Sequence, residues 1–467
     1  MDSIIELLNL EDPNILISDI TVDGTVKSVT LETRPSIHSC PLCSFRMHSK
    51  GIRKRTVNHP VLQDTYRLVL VLKQRRWKCT NPDCGFEMNE SYNFVKPRKR
   101  NTCAADMLVI NAFRDISATA AGIADRFAIS DTQAINIFDR YISMDRLPLT
   151  DAISVEEVFI DMDKNCQYAL VIQDFHTGDP IDILISRRTN ITEPYFASIP
   201  KEERLKVRYL ISDMYNPYIR YVDKYFPNAV SVVDSFHVTQ WLIREIDYFL
   251  KQLMNRFRER DANKQLQLSL KLGRTVTLPV SDEVYLLKKF RWLILKNQST
   301  INYSKEKWFD HHFRYWMDTY DYESKLLAIN PYLKDLRDYK ELYVQFNERY
   351  AGDTEGASRR LDWLIQFYRT TPYQVFHKFA DLLEKYRESI LNSFIMISRE
   401  GPGGLYDSRL SNGPIESMNR KVKDLKRYGR GFRNFEHLRN RFLFATRKQP
   451  VINGSSIDYP VSYYEED

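Results

Sequence analysis

The sequence predicts a multidomain α+β protein, and three observations support this class. The chain has 467 residues, enough for two to four domains of ~100–200 residues each. Four cysteines bracket a strand-like segment near the N-terminus, and short helical segments follow them. From Ala152 the pattern changes to three successive strands and then alternates between helices and strands. With 43% hydrophobic and 28% charged residues, the composition excludes a disordered or fibrous protein.

The first segment, residues 1–35, predicts an N-terminal helix and a strand. Its opening MDSIIELLNLEDP is acidic and lacks the basic and apolar regions of a secretory signal. Elsewhere no uninterrupted apolar run reaches the ~18–20 residues that a membrane-spanning helix requires. We therefore expect a cytoplasmic protein with no membrane partner.

The second segment, residues 36–100, predicts a zinc-binding ribbon. The motifs CPLC and CTNPDC each bring two cysteines together around a turn, and TYRLVLVLKQRRWKC between them predicts a β-strand. In a reducing compartment, paired thiolates favour structural Zn²⁺ over a disulfide. His38 or His48 could replace one ligand, and a redox pair is the weaker alternative. The predicted zinc ligands are Cys40, Cys43, Cys79 and Cys84.

The third segment, residues 101–150, predicts a helix-turn-helix. A helix is expected from about Thr119 to Phe127, followed by a turn and a second helix capped by Ser130 or Asp131. This pattern is typical of DNA-binding motifs, although any three-helix bundle shares its periodicity. The side chains expected in its core are Ile123, Phe127, Ile129, Ile135 and Phe138. The outward candidates for DNA contact are Thr132, Gln133 and Asn136.

Residues 151–238 predict the element order βββαβαβ. The predicted elements are AISVEEVFIDMD, QYALVIQDF and IDILISRR as strands, a helix near Glu202–Val207, the strand RYLISD, the helix NPYIRYVDKYF and the strand AVSVVDSFHV. This order indicates an RNase H-like mixed-sheet domain covered by helices. Residues 239–398 are expected to form a helical insertion, residues 399–448 to return to the sheet domain, and residues 449–467 to form a flexible tail.

Three acidic residues suit the catalytic centre of such a sheet, because a pair of Mg²⁺ ions requires hard oxygen ligands. Glu156 lies in the first strand, and Asp213 ends the YLISD strand, where α/β folds place their ligands. Glu416 lies in SNGPIESMNRKVK, which opens a basic helix, and its distance from Asp213 along the chain fits a helical insertion. We therefore predict two Mg²⁺ or Mn²⁺ ions on these carboxylates, although any single acid is more often a surface or capping residue.

Basic charge is concentrated in two segments. Residues 46–100 hold 14 Lys and Arg against 4 Asp and Glu, and residues 420–448 hold 11 against 2, in a chain of net charge +7. This distribution favours a polyanionic partner, although two solvated basic faces would give the same counts. The candidates for phosphate contacts in the second segment are Arg420, Lys421, Lys423, Lys426, Arg427, Arg430 and Arg433.

Four blocks of the sequence together carry a resemblance to a known family. They are CPLC with CTNPDC, then ISATAAGIADRFAIS, then LISDMYNPYIRYVDKYFPNAVSVVDSFHV, and finally SNGPIESMNRKVKDLKRYGRGFRNFEHLRNRFLF. In this order they resemble the ISL3 family of insertion-sequence transposases over nearly the whole chain. The resemblance implies a DDE transposase that binds terminal inverted repeats and target DNA and cleaves and joins strands with a divalent metal. It also implies a homodimer or larger complex on DNA, in a bacterial cytoplasm and associated with the nucleoid.

The resemblance also assigns roles to individual residues. Asp213 matches the second acidic ligand of the family and Glu416 the third, whereas Glu156 stands where the family has an aspartate. Its extra methylene moves the carboxylate by roughly 1.5 Å, so reduced or absent activity is one expectation. Asp234 and His237 match an acidic-x-x-His feature that would orient DNA near the scissile phosphate, or would serve as core residues. The nearby substitutes for Glu156 are Glu157, Asp161 and Asp163.

Three functions therefore remain open from the sequence. The first is an active transposase. The second is a catalytically impaired derivative that acts only as a DNA-binding protein, and Glu156 is the residue that separates the two. The third is a zinc-dependent nuclease unrelated to transposition, which explains the cysteines and acids but not the whole-chain resemblance.

Overall fold

In a computed structural model, the protein is described over residues 12–59, 67–127, 129–162, 167–304 and 306–450, together with Leu8 and Leu10. The chain forms two compact units. Unit 1 comprises residues 1–146, 159–167 and 420–467, and unit 2 comprises residues 147–158 and 168–419. The helix expected at the N-terminus and nearly all of the tail lie outside the described residues.

The described residues contain fourteen strands and sixteen α-helices. The strands are β1 (Ile15–Asp23), β2 (Val26–Thr33), β3 (Met47–Asn58), β4 (Arg67–Cys79), β5 (Glu87–Asn89), β6 (Ala152–Phe159), β7 (Tyr168–Asp174), β8 (Pro180–Leu184), β9 (Tyr209–Ser212), β10 (Val230–Val233), β11 (Trp308–Asp310), β12 (Tyr315–Met317), β13 (Met396–Gly401) and β14 (Gly404–Arg409). The helices are α1 (Cys103–Ala112), α2 (Ala120–Phe127), α3 (Asp131–Tyr141), α4 (Thr189–Ser198), α5 (Lys201–Arg204), α6 (Asn216–Tyr225), α7 (Ser235–Leu272), α8 (Asp282–Phe290), α9 (Trp292–Leu295), α10 (Thr319–Ala328), α11 (Pro331–Arg349), α12 (Thr354–Thr370), α13 (Gln374–Lys385), α14 (Arg387–Asn392), α15 (Gly413–Tyr428) and α16 (Phe435–Thr446).

Unit 1 begins with a five-stranded sheet. Its strand order is β1-β2-β4-β3, with β5 beside β4. The β2–β4 pair is parallel and the other pairs are antiparallel. Alternate residues of β4, including Leu68, Leu70 and Leu72, are buried in the core of this sheet. The sequence predicted one strand before the cysteines, and the structure has two, β1 and β2.

Helices α1, α2, α3 and α16 pack together in the same unit. The ring of Phe138 on α3 contacts Phe113, whose centroid lies 5.0 Å away, and Phe444 on α16 at 5.7 Å. Arg441 on α16 is buried, and its guanidinium donates to the backbone carbonyls of Phe113 and Ala118. The C-terminal helix therefore completes the core of the predicted helix-turn-helix region.

Unit 2 contains a five-stranded mixed sheet with the order β8-β7-β6-β9-β10. Strands β6, β9 and β10 are parallel to one another, and β7 and β8 are antiparallel. Residues on one face, including Ile153 and Val155, pack against aromatic side chains of α4 and α6. Ala152, Ile211 and Leu410 form a separate core. The sequence predicted these strands, but it did not predict α4.

One predicted strand boundary is wrong. AVSVVDSFHV was predicted to be a strand throughout, whereas β10 ends at Val233 and α7 begins at Ser235. The cause is Asp234, whose carboxylate accepts a hydrogen bond from the backbone N–H of Phe236 at 3.1 Å and so caps the helix. His237 consequently lies in the first turn of a helix.

The long helical region of unit 2 is organised around α7. Val238, Leu242, Ile246, Leu250 and Met254 recur every four residues and are buried, so they form the stripe that packs against the neighbouring helices. Many aromatic side chains of this region are also core residues. The hairpins β11–β12 and β13–β14 were not predicted from the sequence. Among the described helices, none has the combined length and apolarity needed to cross a membrane.

Candidate functional site

The parallel pair β6–β9 places two of the predicted carboxylates at the same level of the sheet. Ser154 pairs with Ile211, and Glu156 and Asp213 each lie two residues further along the chain, with Asp213 just beyond the end of β9. Glu156 lies on the same face of β6 as Ser154, because successive side chains of a strand alternate between faces. Asp213 follows the end of β9, where its carboxylate accepts a hydrogen bond from the backbone N–H of Tyr215 at 3.0 Å. The site therefore forms at the carboxyl edge of the sheet.

Two helix starts bring the other candidates to unit 2's site. Glu416 lies in the first turn of α15, and His237 lies in the first turn of α7. Asp234 connects these helix starts, because its second carboxylate oxygen accepts a hydrogen bond from the backbone N–H of Asn412 at 3.1 Å. Asp234 is buried, so this contact is shielded from water and fixes the beginning of each helix.

The structure brings Glu156, His237 and Glu416 into one group. One potential ligand atom from each lies within 4.8 Å of those from the other two. Asp213 is outside this group of three, but its charge still acts on Glu156. Burial raises the pKa of Glu156 to about 8, and the charges of Glu416, Asp213, Glu157 and Asp234 add to the effect. The same combination of burial and neighbouring negative charge raises the pKa of Asp213.

Several polar atoms beside this group are buried without a hydrogen-bond partner among the described residues. They include Glu156 Oε2, His237 Nε2, both amide atoms of Asn412, and Asn419 Oδ1. Such atoms are costly unless a ligand or water satisfies them. Carboxylate oxygens are the donors that Mg²⁺ and Mn²⁺ prefer, whereas imidazole is more typical of zinc or iron sites. The donor set therefore fits divalent cations held mainly by the carboxylates, with His237 beside them.

Glu157 is not equivalent to its neighbour Glu156. It points to the opposite face of β6, where it forms an ion pair with Arg187 and accepts a hydrogen bond from the Tyr218 hydroxyl at 2.9 Å. Its carboxylate is thus already compensated. This pairing disfavours Glu157 as a substitute for Glu156. Another candidate substitute, Asp163, lies outside the described residues.

The four predicted zinc ligands form a second group, in unit 1. Their sulfur atoms all lie within 4.8 Å of one another, with 3.7 Å between Cys40 and Cys84 and 3.4 Å between Cys43 and Cys79. A tetrahedral zinc site with Zn–S bonds of ~2.3 Å has S···S edges of ~3.8 Å. His38 instead packs its ring against Trp77, 4.5 Å between centroids. Four cysteine thiolates therefore fit the geometry of a structural zinc ion.

The predicted DNA-contact residues are largely exposed. On α3, the side chains of Thr132, Gln133 and Asn136 face solvent, and Ser130 caps the helix by accepting from the Gln133 N–H at 3.1 Å. Lys426 differs, because its ammonium donates to the backbone carbonyl of Ile160. The exposed basic residues of α15 and the segment after it are Arg420, Lys421, Lys423, Arg427, Arg430 and Arg433.

The sequence named Asp234 and His237 as possible support near the scissile phosphate, and the structure places His237 beside Glu156 and Glu416. The signal that His237 lies on a helix was the Asp-Ser pair that precedes it, which is typical of a helix start. The sequence gave no role to Arg187. No local sequence pattern predicts the role of Arg187, because its ion-pair partner Glu157 is distant in sequence.

Comparison with known proteins agrees with this geometry. No significant match to a curated protein is found. A family model described as a transposase, of the DDE ISL3 type, matches residues 153–442, which is more than half of the chain. The matched range includes Glu156, Asp213, His237 and Glu416. The chain therefore belongs to the ISL3 family of DDE transposases.

Proposed function

We propose that this chain is an active transposase that cleaves DNA at the terminal inverted repeats of an insertion sequence and transfers the freed ends to target DNA. The observation that carries the proposal is the proximity of Glu156 to Glu416, within 4.8 Å between ligand atoms. The side chain that replaces the family's first aspartate thus reaches the third acidic position despite its extra methylene. Asp213 lies just beyond the end of the neighbouring strand β9 and is the third carboxylate of the proposal, and its charge acts on Glu156.

The fold of unit 2 supports the same proposal. Numbered within its sheet, the strands run 3-2-1-4-5, with the first three consecutive in the chain and the last two parallel to the first. We interpret this as an RNase H-like catalytic domain with a helical insertion between β10 and α15. In unit 1, we interpret the cysteine sheet as a zinc ribbon and α2 with α3 as a DNA-binding helix-turn-helix.

Glu156, Asp213 and Glu416 are the residues that would hold two Mg²⁺ or Mn²⁺ ions, which supply Lewis-acid activation of the phosphodiester when bound. Burial is the main cause of the high pKa of Glu156, and the negative charges of Glu416 and Asp213 raise it further.

The remaining residues of the site position the DNA and neutralise the charge of its phosphates. Asp234 fixes the first turn of α7 and thereby the ring of His237, whose Nε2 is available to hydrogen-bond a phosphate oxygen near the scissile bond. Hydrolysis by water breaks the bond between phosphorus and the 3′-oxygen and leaves a 3′-hydroxyl and a 5′-phosphate. That hydroxyl then attacks a target phosphodiester: a new P–O bond forms, the target's bond between phosphorus and its 3′-oxygen breaks, and the proton passes to the 3′-oxygen that leaves. The exposed basic residues of α15 and the segment that follows offset phosphate charge along the bound DNA.

We further propose that the protein acts as a homodimer or larger complex on DNA, because both ends of an element must be joined. Its setting would be the bacterial cytoplasm, in association with the nucleoid. The face of α3 with Thr132, Gln133 and Asn136 would read base edges in the repeats. The structural zinc would hold the N-terminal sheet in place.

The test is divalent-metal-dependent cleavage of a DNA that carries the element's own terminal repeats. The unmodified chain is compared with Glu156→Asp, Asp213→Ala and Glu416→Ala. We expect cleavage by the unmodified chain and its loss in both alanine variants, with DNA binding retained. Cleavage only by Glu156→Asp would support a disabled enzyme, and specific binding without cleavage by any variant would support the DNA-binding alternative.

A further inference from the structure

A cavity of about 410 Å³ lies in unit 1, between residues 96–102 and helix α3. Its lining includes Lys96, Lys99 and Arg100 from the segment and Arg140 from the helix. The role proposed above for α3 uses none of these four cations. The cavity lies entirely within unit 1 and is separate from the carboxylate site.

The basic segment is held in a fixed position against β3. The guanidinium of Arg55 donates to the carbonyl of Lys96 at 2.9 Å and also to the carbonyl of Lys99. The backbone N–H of Asn58 donates to the carbonyl of Arg100 at 2.7 Å. These hydrogen bonds order the backbone of the basic segment before any ligand binds. Less conformational entropy is therefore lost when the side chains of the segment bind a ligand.

The opposite wall is the exposed face of α3. Thr132, Gln133, Asn136 and Arg140 lie on this face, since positions separated by four residues follow one side of a helix, and all four line the cavity. The wall thus continues from amide and hydroxyl groups to a guanidinium. These are the groups that contact base edges and phosphates in protein–DNA interfaces.

The charge of the cavity favours an anion. Its four cations face one carboxylate, that of Asp106. Asp106 accepts a hydrogen bond from the Tyr141 hydroxyl at 3.3 Å, and burial raises its pKa. The rest of the lining combines polar side chains such as Asn101 and Asn136 with Ile137 and Tyr141. A charged, hydrophilic ligand therefore suits it better than an apolar one.

We infer that the cations of this cavity contact the sugar-phosphate backbone of one strand of duplex DNA, while Thr132, Gln133 and Asn136 in the same lining contact base edges in the major groove. The inference rests on the proposed DNA-binding function and adds a backbone clamp to the predicted base-reading residues. The volume is too small for a duplex. The ordered segment of residues 96–102 would fix the register of α3 on the DNA, because phosphate contacts position a protein without reading sequence.

The experiment measures binding of the full zinc-loaded chain to two duplexes over a range of salt concentrations. One duplex carries a terminal repeat of the element, and the other has equal length and scrambled sequence. The variants are the pair Lys99→Gln with Arg100→Gln, and Arg140→Gln alone. The control is Lys334→Gln, which removes an exposed lysine on α11 of unit 2. Zinc content and thermal midpoint establish that each variant is folded.

We expect the cavity variants to bind both duplexes more weakly, by on the order of tenfold for the pair, as phosphate contacts are lost. The slope of log K against log salt should become shallower by about one for each cation removed. The control should bind as the unmodified chain does. Unchanged affinity and slope in the cavity variants would overturn the inference while leaving the proposed function intact. A loss restricted to the repeat duplex, with an unchanged slope, would contradict backbone binding, and failure of the unmodified chain to bind either duplex would overturn both proposals.

Discussion

A carboxylate oxygen of Glu156 lies within 4.8 Å of a ring nitrogen of His237, although one residue lies on a central strand and the other on a helix that follows the sheet. Each side chain also has a buried atom without a hydrogen-bond partner in the described part of the chain. The site therefore holds polar groups whose bonding capacity the protein itself leaves unused. This is a property of sites that bind ligands rather than of cores.

Glu156 should reduce the stability of the protein at alkaline pH. Its pKa is about 8 in the folded chain against a usual 4.5, so between these values the folded state binds more protons than the unfolded state. Its carboxyl therefore lowers stability as pH rises from 4.5 through 8. We expect Glu156→Gln to unfold at a higher temperature than the unmodified chain at about pH 9 and at the same temperature at about pH 4, without added divalent metal.

The matched control is Glu157→Gln, which should be less stable than the unmodified chain at high pH, because Arg187 loses its ion-pair partner. Equal midpoints of Glu156→Gln and the unmodified chain at high pH would contradict this.

His237 should affect cleavage but not DNA binding. His237→Gln keeps a polar side chain yet changes the group beside Glu156 and Glu416, so we expect cleavage of repeat DNA to fall by roughly 10–100-fold, as for partners of metal sites. The midpoint of Mg²⁺-dependent cleavage should also shift to higher Mg²⁺. Replacing the exposed His48 with Gln serves as the control. A structural role alone would lower the unfolding temperature and leave the Mg²⁺ midpoint unchanged.

Loss of zinc should unfold the N-terminal sheet. Cys79 is buried within the cysteine cluster, and the Trp77 side chain packs in the same small core. We expect Cys79→Ser to lose the bound zinc and the protection of β3 and β4 amides from hydrogen exchange. Cys103→Ser should keep its zinc, since Cys103 is not part of the cluster. Full zinc content in Cys79→Ser would refute this assignment.

Arg441 should stabilise the helical part of unit 1 more than any charge on its surface does. Burial lowers the pKa of Arg441 to about 10, and its guanidinium donates to backbone carbonyls of the loop between α1 and α2. Arg441→Met leaves those carbonyls unpaired, at about 1–3 kcal/mol each. Denaturant unfolding monitored on unit 1 should show this loss, whereas Arg433→Met, at an exposed position, should change stability by less than about 0.5 kcal/mol.

The sequence predicted most strands of the central sheet because buried β-strands have an apolar pattern, and it predicted α3 because Ser130 is a good cap. The cysteine group was equally predictable, since short spacing alone brings each pair together. The strand predicted through His237 failed because apolar periodicity did not reveal that Asp234 begins a helix. The pairing of Glu157 with Arg187 and the packing of α16 on α3 depend on contacts between distant segments, which local patterns do not specify.

The hydrogen bond between Asp234 and the N–H of Asn412 joins positions separated by the whole helical region. During synthesis, Asp213 and His237 leave the ribosome long before Glu416 does, and unit 1's cysteine sheet and α3 precede them all. A nascent or prematurely terminated chain that lacks the third carboxylate also lacks α16, whose Phe444 and Arg441 complete the core around α1 to α3. The carboxylate site of unit 2 and the helical core of unit 1 are therefore both incomplete until the ribosome has passed Glu416.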